Sequence, residues 1–182
     1  MMLAYSSGKD GTRTYWRGAN RGMTLRIPLA PTNVGAKGKP GGGFDAKTKR
    51  KTREVGITFS LKEQPCSEKQ TKVERDRNAL DMARISVFWF ESQKAAEKFT
   101  SGDASGSFHQ NLLTMHDVRY DSKKNNQNPI TSSFLTPVDP DAECYVVAVA
   151  AVSKGGVRSA SVKSNIFTFP DERKSSPPKY IA

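Results

Sequence analysis

Apolar side chains in this chain fall into short runs with a period of two rather than the longer period of a helix. Across 55–61, Val55, Ile57, Phe59 and Leu61 alternate with Gly56, Thr58 and Ser60, which puts the apolar set on one face of an extended strand. Residues 85–90 begin with the same alternation at Ile85 and Val87, then turn apolar on both faces through Phe88, Trp89 and Phe90. That pattern predicts a strand whose second face is either covered as well or exposed as a docking surface. The longest apolar run covers 144–153, is rich in valine, and closes on Gly155 and Gly156. A further apolar segment ends in Ile166, Phe167 and Phe169, so 144–169 reads as a buried hairpin about a glycine turn.

The stretches between these strands are polar. Pro65 ends the first strand, and 67–83 reads as a loop holding a short exposed helix, with Ser67 and Gln70 at capping-box spacing. One helical turn is expected at 95–99 and a glycine- and serine-rich loop at 100–107. One or two edge strands follow at 108–120, then a polar turn at 122–128. A rigid corner around Pro137 and Pro140 leads into the hairpin. Short strands, frequent turn signals and almost no helix predict an all-β chain, an antiparallel β-sandwich over 30–170 with long insertions at about 62–83 and 91–130.

Upstream of 30 no period persists except briefly over 23–27. Residues 1–29 read as an extended basic arm in which Tyr15, Trp16, Arg17, Arg21, Leu25, Arg26 and Ile27 mix aromatic, cationic and apolar groups among glycines. A segment of this kind gains stability by burying those residues on a partner. A short extended element begins at Pro31, and the glycine run in 35–43 excludes a helix or a central strand. Lys47, Lys49, Arg50, Lys51 and Arg53 then read as a solvated basic loop or a contact for phosphates or acidic protein. The tail, 171–182, is polar and carries Pro177 and Pro178, as a linker or second arm does.

Charge sharpens this division. The net charge is +11, and residues 1–53 hold twelve of the 29 Lys and Arg against Asp10 and Asp45 alone. The remainder is nearly neutral. No run is apolar for the ~18 residues that a membrane span needs. The opening residues lack the apolar core of a secretory signal, so the expected setting is inside a cell or within a released particle such as a virion. Cys66 and Cys144 make no disulfide framework and are expected to be free, buried thiols.

Candidate chemistry is sparse. His109 and His116 stand seven residues apart without a metal-binding companion motif. Asp139 and Asp141 flank Pro140 in a way that a turn explains. No Gly-x-Ser-x-Gly elbow is present, and the glycine run lacks phosphate-loop spacing. The expectation is a non-enzymatic protein without metal or cofactor.

The strand sequences resemble a fibronectin type III domain, most specifically over 134–169. Tyr145, Val147, Val149, Ala151 and Ser153 fall where that family places Tyr-x-Val-x-Val-x-Ala-x-Ser before a glycine turn. Pro31 to Val34 matches its opening strand, and Val138 with Pro140 its hydrophobic-x-Pro corner. The spacing from Pro140 to Tyr145 is one residue longer than usual, and Leu61 stands where a core tryptophan is common. The resemblance implies that Tyr145 is a tyrosine-corner residue bonded to backbone near Val138, and that the domain binds or connects rather than catalyses. Another immunoglobulin-like sandwich or a jelly roll is the alternative architecture.

Together these features predict a structural protein of a larger assembly, with the arm gripping neighbouring subunits. A nucleic-acid-binding accessory subunit using 1–53 is the alternative, and an adhesion or carbohydrate-binding module is the third.

Overall fold

A computed structural model describes residues 5–7, 12–16, 22–66, 68–102, 108–125 and 129–170. The predicted tail, 171–182, lies outside the described residues. The body holds two antiparallel sheets. One has the order β4 (Thr32–Asp45), β5 (Arg50–Ser60), β8 (Ile130–Pro137). The other runs β10 (Val162–Lys163), β9 (Cys144–Ser153), β6 (Leu80–Phe90), β7 (Leu112–Arg119). The all-β class is therefore observed. Short helices α1 (Lys72–Asn78), α2 (Gln93–Ser101) and α3 (Ser122–Asn125) fill the connections.

The period-two residues build the core. Val55, Ile57 and Phe59 are at most 1% exposed and share one cluster with Ile85 and Val87 of β6, Phe134 of β8, and Tyr145, Val147 and Val149 of β9. Every residue of β9 is buried, because its other face is covered too. There α2 lays Ala96 and Phe99 over Phe90, Cys144 and Val146, with the Phe99 ring 5.0 Å from Phe88 and 5.2 Å from Phe90. The apolar second face expected for 88–90 is thus closed by the chain's own helix. Lys163 holds the end of that helix: its ammonium donates to the Phe99 carbonyl and lies 4.4 Å from the Phe99 ring centre. A cation at a helix C-terminus is favourably placed. Burial pushes the Cys144 thiol up, whereas Cys66 is exposed, contrary to the expectation that both are buried.

The structure departs from the sequence reading in four places. Residues 5–7, 12–16 and 22–26 form a three-stranded antiparallel meander of β1 (Tyr5–Ser7), β2 (Thr12–Trp16) and β3 (Gly22–Arg26), where an extended arm with a brief period only over 23–27 was expected. Pairing within the segment supplies the backbone bonds that its irregular side-chain pattern does not advertise. The glycine run is an edge strand, which the exclusion of a central strand allows: β4 pairs with β5 through register shifts at Thr32/Gly35 and Gly38/Gly42, and the hairpin takes in Arg50 to Arg53, where a basic loop was expected. Gly38 and Gly42 are required there, since a Cβ would lie 2.4 Å from the Thr168 carbonyl oxygen and 2.1 Å from that of Thr52, respectively.

The third departure is in the 67–83 segment, where β6 begins at Leu80 and the capping box is Thr71 with Glu74. Ser67 lies outside the described residues. The fourth is the hairpin at 144–169, whose return arm is mostly irregular. It meets β9 at Arg158, at β10 and at Phe167, and Gly156 turns the chain with φ +81°. Ser159 and Ser164 explain the irregularity. Each hydroxyl accepts a buried β9 amide, Ala151 N–H at 2.9 Å and Val147 N–H at 3.0 Å, in place of a strand carbonyl. Each donates its own O–H to the carbonyl of the next residue, at 2.8 Å.

The outer edge of β4 is held by a side chain. The Ala36 N–H donates to Asn165 Oδ1, and Asn165 Nδ2 donates to the Ala36 carbonyl, both at 3.0 Å. An Asn165→Ala variant is expected to lose about 1–2 kcal/mol, the net worth of two partly exposed hydrogen bonds, as a lower urea midpoint. An unchanged midpoint would show that the edge is held without this amide.

Candidate functional site

The β4–β5 hairpin reaches past its neighbour. Pairing between β5 and β8 stops at Thr52 and Pro137, while pairing with β4 continues to Asp45 and Arg50. The ribbon closes through Ala46, Lys47, Thr48 and Lys49, and Asp45 builds that turn. Its carboxylate accepts the Lys47 amide at 2.9 Å, the Thr48 amide at 3.4 Å and the Thr48 hydroxyl at 2.8 Å. The Thr48 hydroxyl, then the Lys47 amide, hold the Asp45 carboxyl below its ordinary pKa. Lys49 takes φ +52°, a left-handed geometry that the turn imposes on a non-glycine residue.

This places all five predicted basic residues on one element. Lys47 and Lys49 are in the turn; Arg50, Lys51 and Arg53 are on β5. Strand alternation then sorts them. Arg53 and Lys51 share the face of Val55, beyond the end of the core, while Arg50 points to the other side. Phe44 is the register partner of Lys51 and so shares its face; it is 68% exposed. Sequence reasoning passed over Phe44, although a single aromatic between a glycine run and a lysine cluster was there to be seen. Where the ribbon meets the body, Lys51 and Arg53 line an open depression with Tyr145, Glu143 and Phe169. The ring centres of Tyr145 and Phe169 are 4.9 Å apart.

A second cation group is neutralised. Lys39 pairs with Glu54 at 3.0 Å, opposite the β4 bulge. That bond first, then one from Ser133, lowers the Glu54 pKa. Arg84 grips both oxygens of Asp117 at 2.8 and 2.9 Å, which raises the Arg84 pKa and lowers that of Asp117.

The predicted arm residues separate into two groups. Leu25, Arg26 and Ile27 are attached to the chain's own body. Leu25 is buried near Gly155, Arg26 N–H donates to Asn78 Oδ1 at 2.8 Å and its guanidinium to the Pro65 carbonyl at 3.0 Å, and Gln64 donates to the Ile27 carbonyl at 2.8 Å. Tyr15 and Trp16 sit on β2, and Arg17 and Arg21 lie outside the described residues.

Of the structural residues, Tyr145 is 3% exposed, and Val147 and Val149 are fully buried. The Asp139 backbone N–H hydrogen-bonds the Tyr145 hydroxyl, but burial dominates and pushes its pKa up to about 12. Pro140 is exposed in a turn that Asp139 closes by accepting the Asp141 amide at 3.0 Å. His116 stacks on Phe134 with ring centres 4.7 Å apart. Among the described residues, no three His, Cys, Asp or Glu side chains gather as a metal site, and no helix is long and apolar enough to cross a membrane.

In comparisons with known proteins, no family model, curated protein or solved structure matches this chain.

Proposed function

We propose that this chain is a non-enzymatic interaction module, a sandwich of the fibronectin type III kind that packs in a larger assembly and grips neighbours through its N-terminal meander. Strand order supports the architecture. Taken in chain order, β4, β5 and β8 stand where strands A, B and E of an immunoglobulin-like fold stand, and β10, β9, β6 and β7 where G, F, C and C′ stand. Tyr145, at the start of β9 with its hydroxyl on the Asp139 backbone, has the placement of a tyrosine corner.

One observation carries the functional part. The meander is a sheet separate from the body, and its described attachments come from residues at and just after the end of β3. The meander meets the body through β3 and α1, so a surface supplied by a partner would add most at β1 and β2. The partner-facing share of the arm is accordingly the part before Leu25, with Tyr15 and Trp16 as anchors.

Deleting residues 1–21 tests this. The expected result is a body that unfolds at an unchanged urea midpoint, whereas native mass spectrometry of source material finds the full chain in a large complex and the truncated chain outside it. Retention of the truncated chain in that complex would overturn the proposal.

A further inference from the structure

We propose that the β4–β5 ribbon is a binding site for single-stranded nucleic acid, with its cations on backbone phosphates and Phe44 stacked on a base. This goes beyond the assembly role and uses a different part of the chain.

The argument starts from what the turn does with its acid. Asp45 is the only carboxylate between 44 and 53, and its oxygens are taken by the Lys47 and Thr48 amides and the Thr48 hydroxyl. Its charge is therefore spent on folding the turn. Among the described residues, Lys47, Lys49 and Arg50 form no ion pair, whereas Lys39, Arg84, Arg119 and Lys154 each hold a carboxylate within 3.0 Å. Cations left together at the end of a ribbon repel one another, and a chain of phosphates relieves that repulsion by releasing its own counterions.

Phe44 decides which polyanion fits. It is 68% exposed, directly opposite Lys51 and on the face that Arg53 shares. One ring on a face shared with Lys51 and Arg53 is too small for an apolar protein contact. A base offers a π-face to stack on the ring while its flanking phosphates reach the cations. An acidic protein surface would use the cations and leave Phe44 in water. The bases of a duplex are already stacked, so a duplex leaves the ring idle as well. The hydrogen-bonded turn and the paired strands hold these groups in place before binding, which lowers the ordering cost.

The test uses the full chain and fluorescein-labelled oligo(dT) and oligo(rU) of about 20 nucleotides, the size of one or two site lengths. Anisotropy is followed from about 50 to 200 mM salt. Phe44→Ala is expected to weaken binding about tenfold with an unchanged salt slope. Replacing Lys47, Lys49 and Arg50 together by alanine is expected to flatten the slope of log K on log salt by about two, at about 0.7 per phosphate lost. Each altered side chain is exposed, and matching urea midpoints establish that the variants fold. Binding that ignores both variants would overturn the proposal, as would equal affinity for the corresponding duplex or for poly-glutamate. The last outcome would assign the ribbon to an acidic protein. Deleting 1–21 leaves the ribbon intact, so the assembly reading and this one fail on separate measurements.

Discussion

Replacing Tyr145 by alanine is expected to cost about 3–5 kcal/mol, a large share of the about 5–15 kcal/mol that keeps a domain folded. The ring is 3% exposed, and its centre lies 5.9 Å from that of Phe167 and 4.9 Å from that of Phe169. Removing it opens a cavity where β9 meets the segment around Phe167, which pairs there with Tyr145. Tyr145→Phe keeps the ring and loses only the hydroxyl on Asp139, at about 1 kcal/mol. Urea melts separate the two.

Alkaline titration gives an independent reading. Folded Tyr145 holds its proton to about pH 12, whereas an unfolded tyrosine loses it near pH 10. The neutral hydroxyl therefore contributes stability that is complete below about pH 10 and lost as pH rises through about 12. Tyr120 is also raised, first by burial, so the informative comparison is wild type against Tyr145→Phe. The variant should lose less stability across that window. Parallel curves would show that the hydroxyl is not the buried group described.

The second large effect concerns two serines. Ser159→Ala and Ser164→Ala each orphan a buried β9 amide, of Ala151 and Val147 respectively. Each should cost about 1–3 kcal/mol, and the pair, well separated on β9, about 2–6 kcal/mol. Threonine at either position keeps an acceptor oxygen and should restore most of the loss. Amide exchange at Ala151 and Val147 should accelerate in the corresponding alanine variant. If the double variant lost under about 1 kcal/mol, the return arm would have re-formed an ordinary ladder, and the serines would not be what keeps it irregular.

Those serines also show where sequence legibility ends. The alternation at 55–61 and the valine run of β9 announced strands because one buried face imposes a period of two. The return arm still carries Val157, Val162, Ile166, Phe167 and Phe169, but two hydroxyls compete with carbonyls for strand amides, and no pattern of apolar residues reports that. β4 was hidden for the opposite reason. Its glycines have low strand propensity, and only pairing with β5 makes them a strand. The first half of β6 carries Asp81 and Arg84, whose ion pairs with Arg119 and Asp117 make a charged strand face acceptable. At the candidate site, the five cations were visible in the sequence. Their division between faces, the role of Asp45 and the placement of Phe44 depend on hairpin register, which no local pattern encodes.

The amide of Asn165 has a consequence for how copies of this chain can meet. An edge strand is a template: its outward N–H and C=O groups invite a further strand, and sheets that accept one can polymerise. On β4 those groups at Ala36 are already occupied by a side chain that imitates a strand without offering a next one. Downstream, Pro40 lacks a donor, and the bulge between Gly38 and Gly42 breaks the spacing that a new strand would have to match. Edge-to-edge growth along β4 is thereby terminated, so copies at high local concentration are kept from fusing into fibrils through this border.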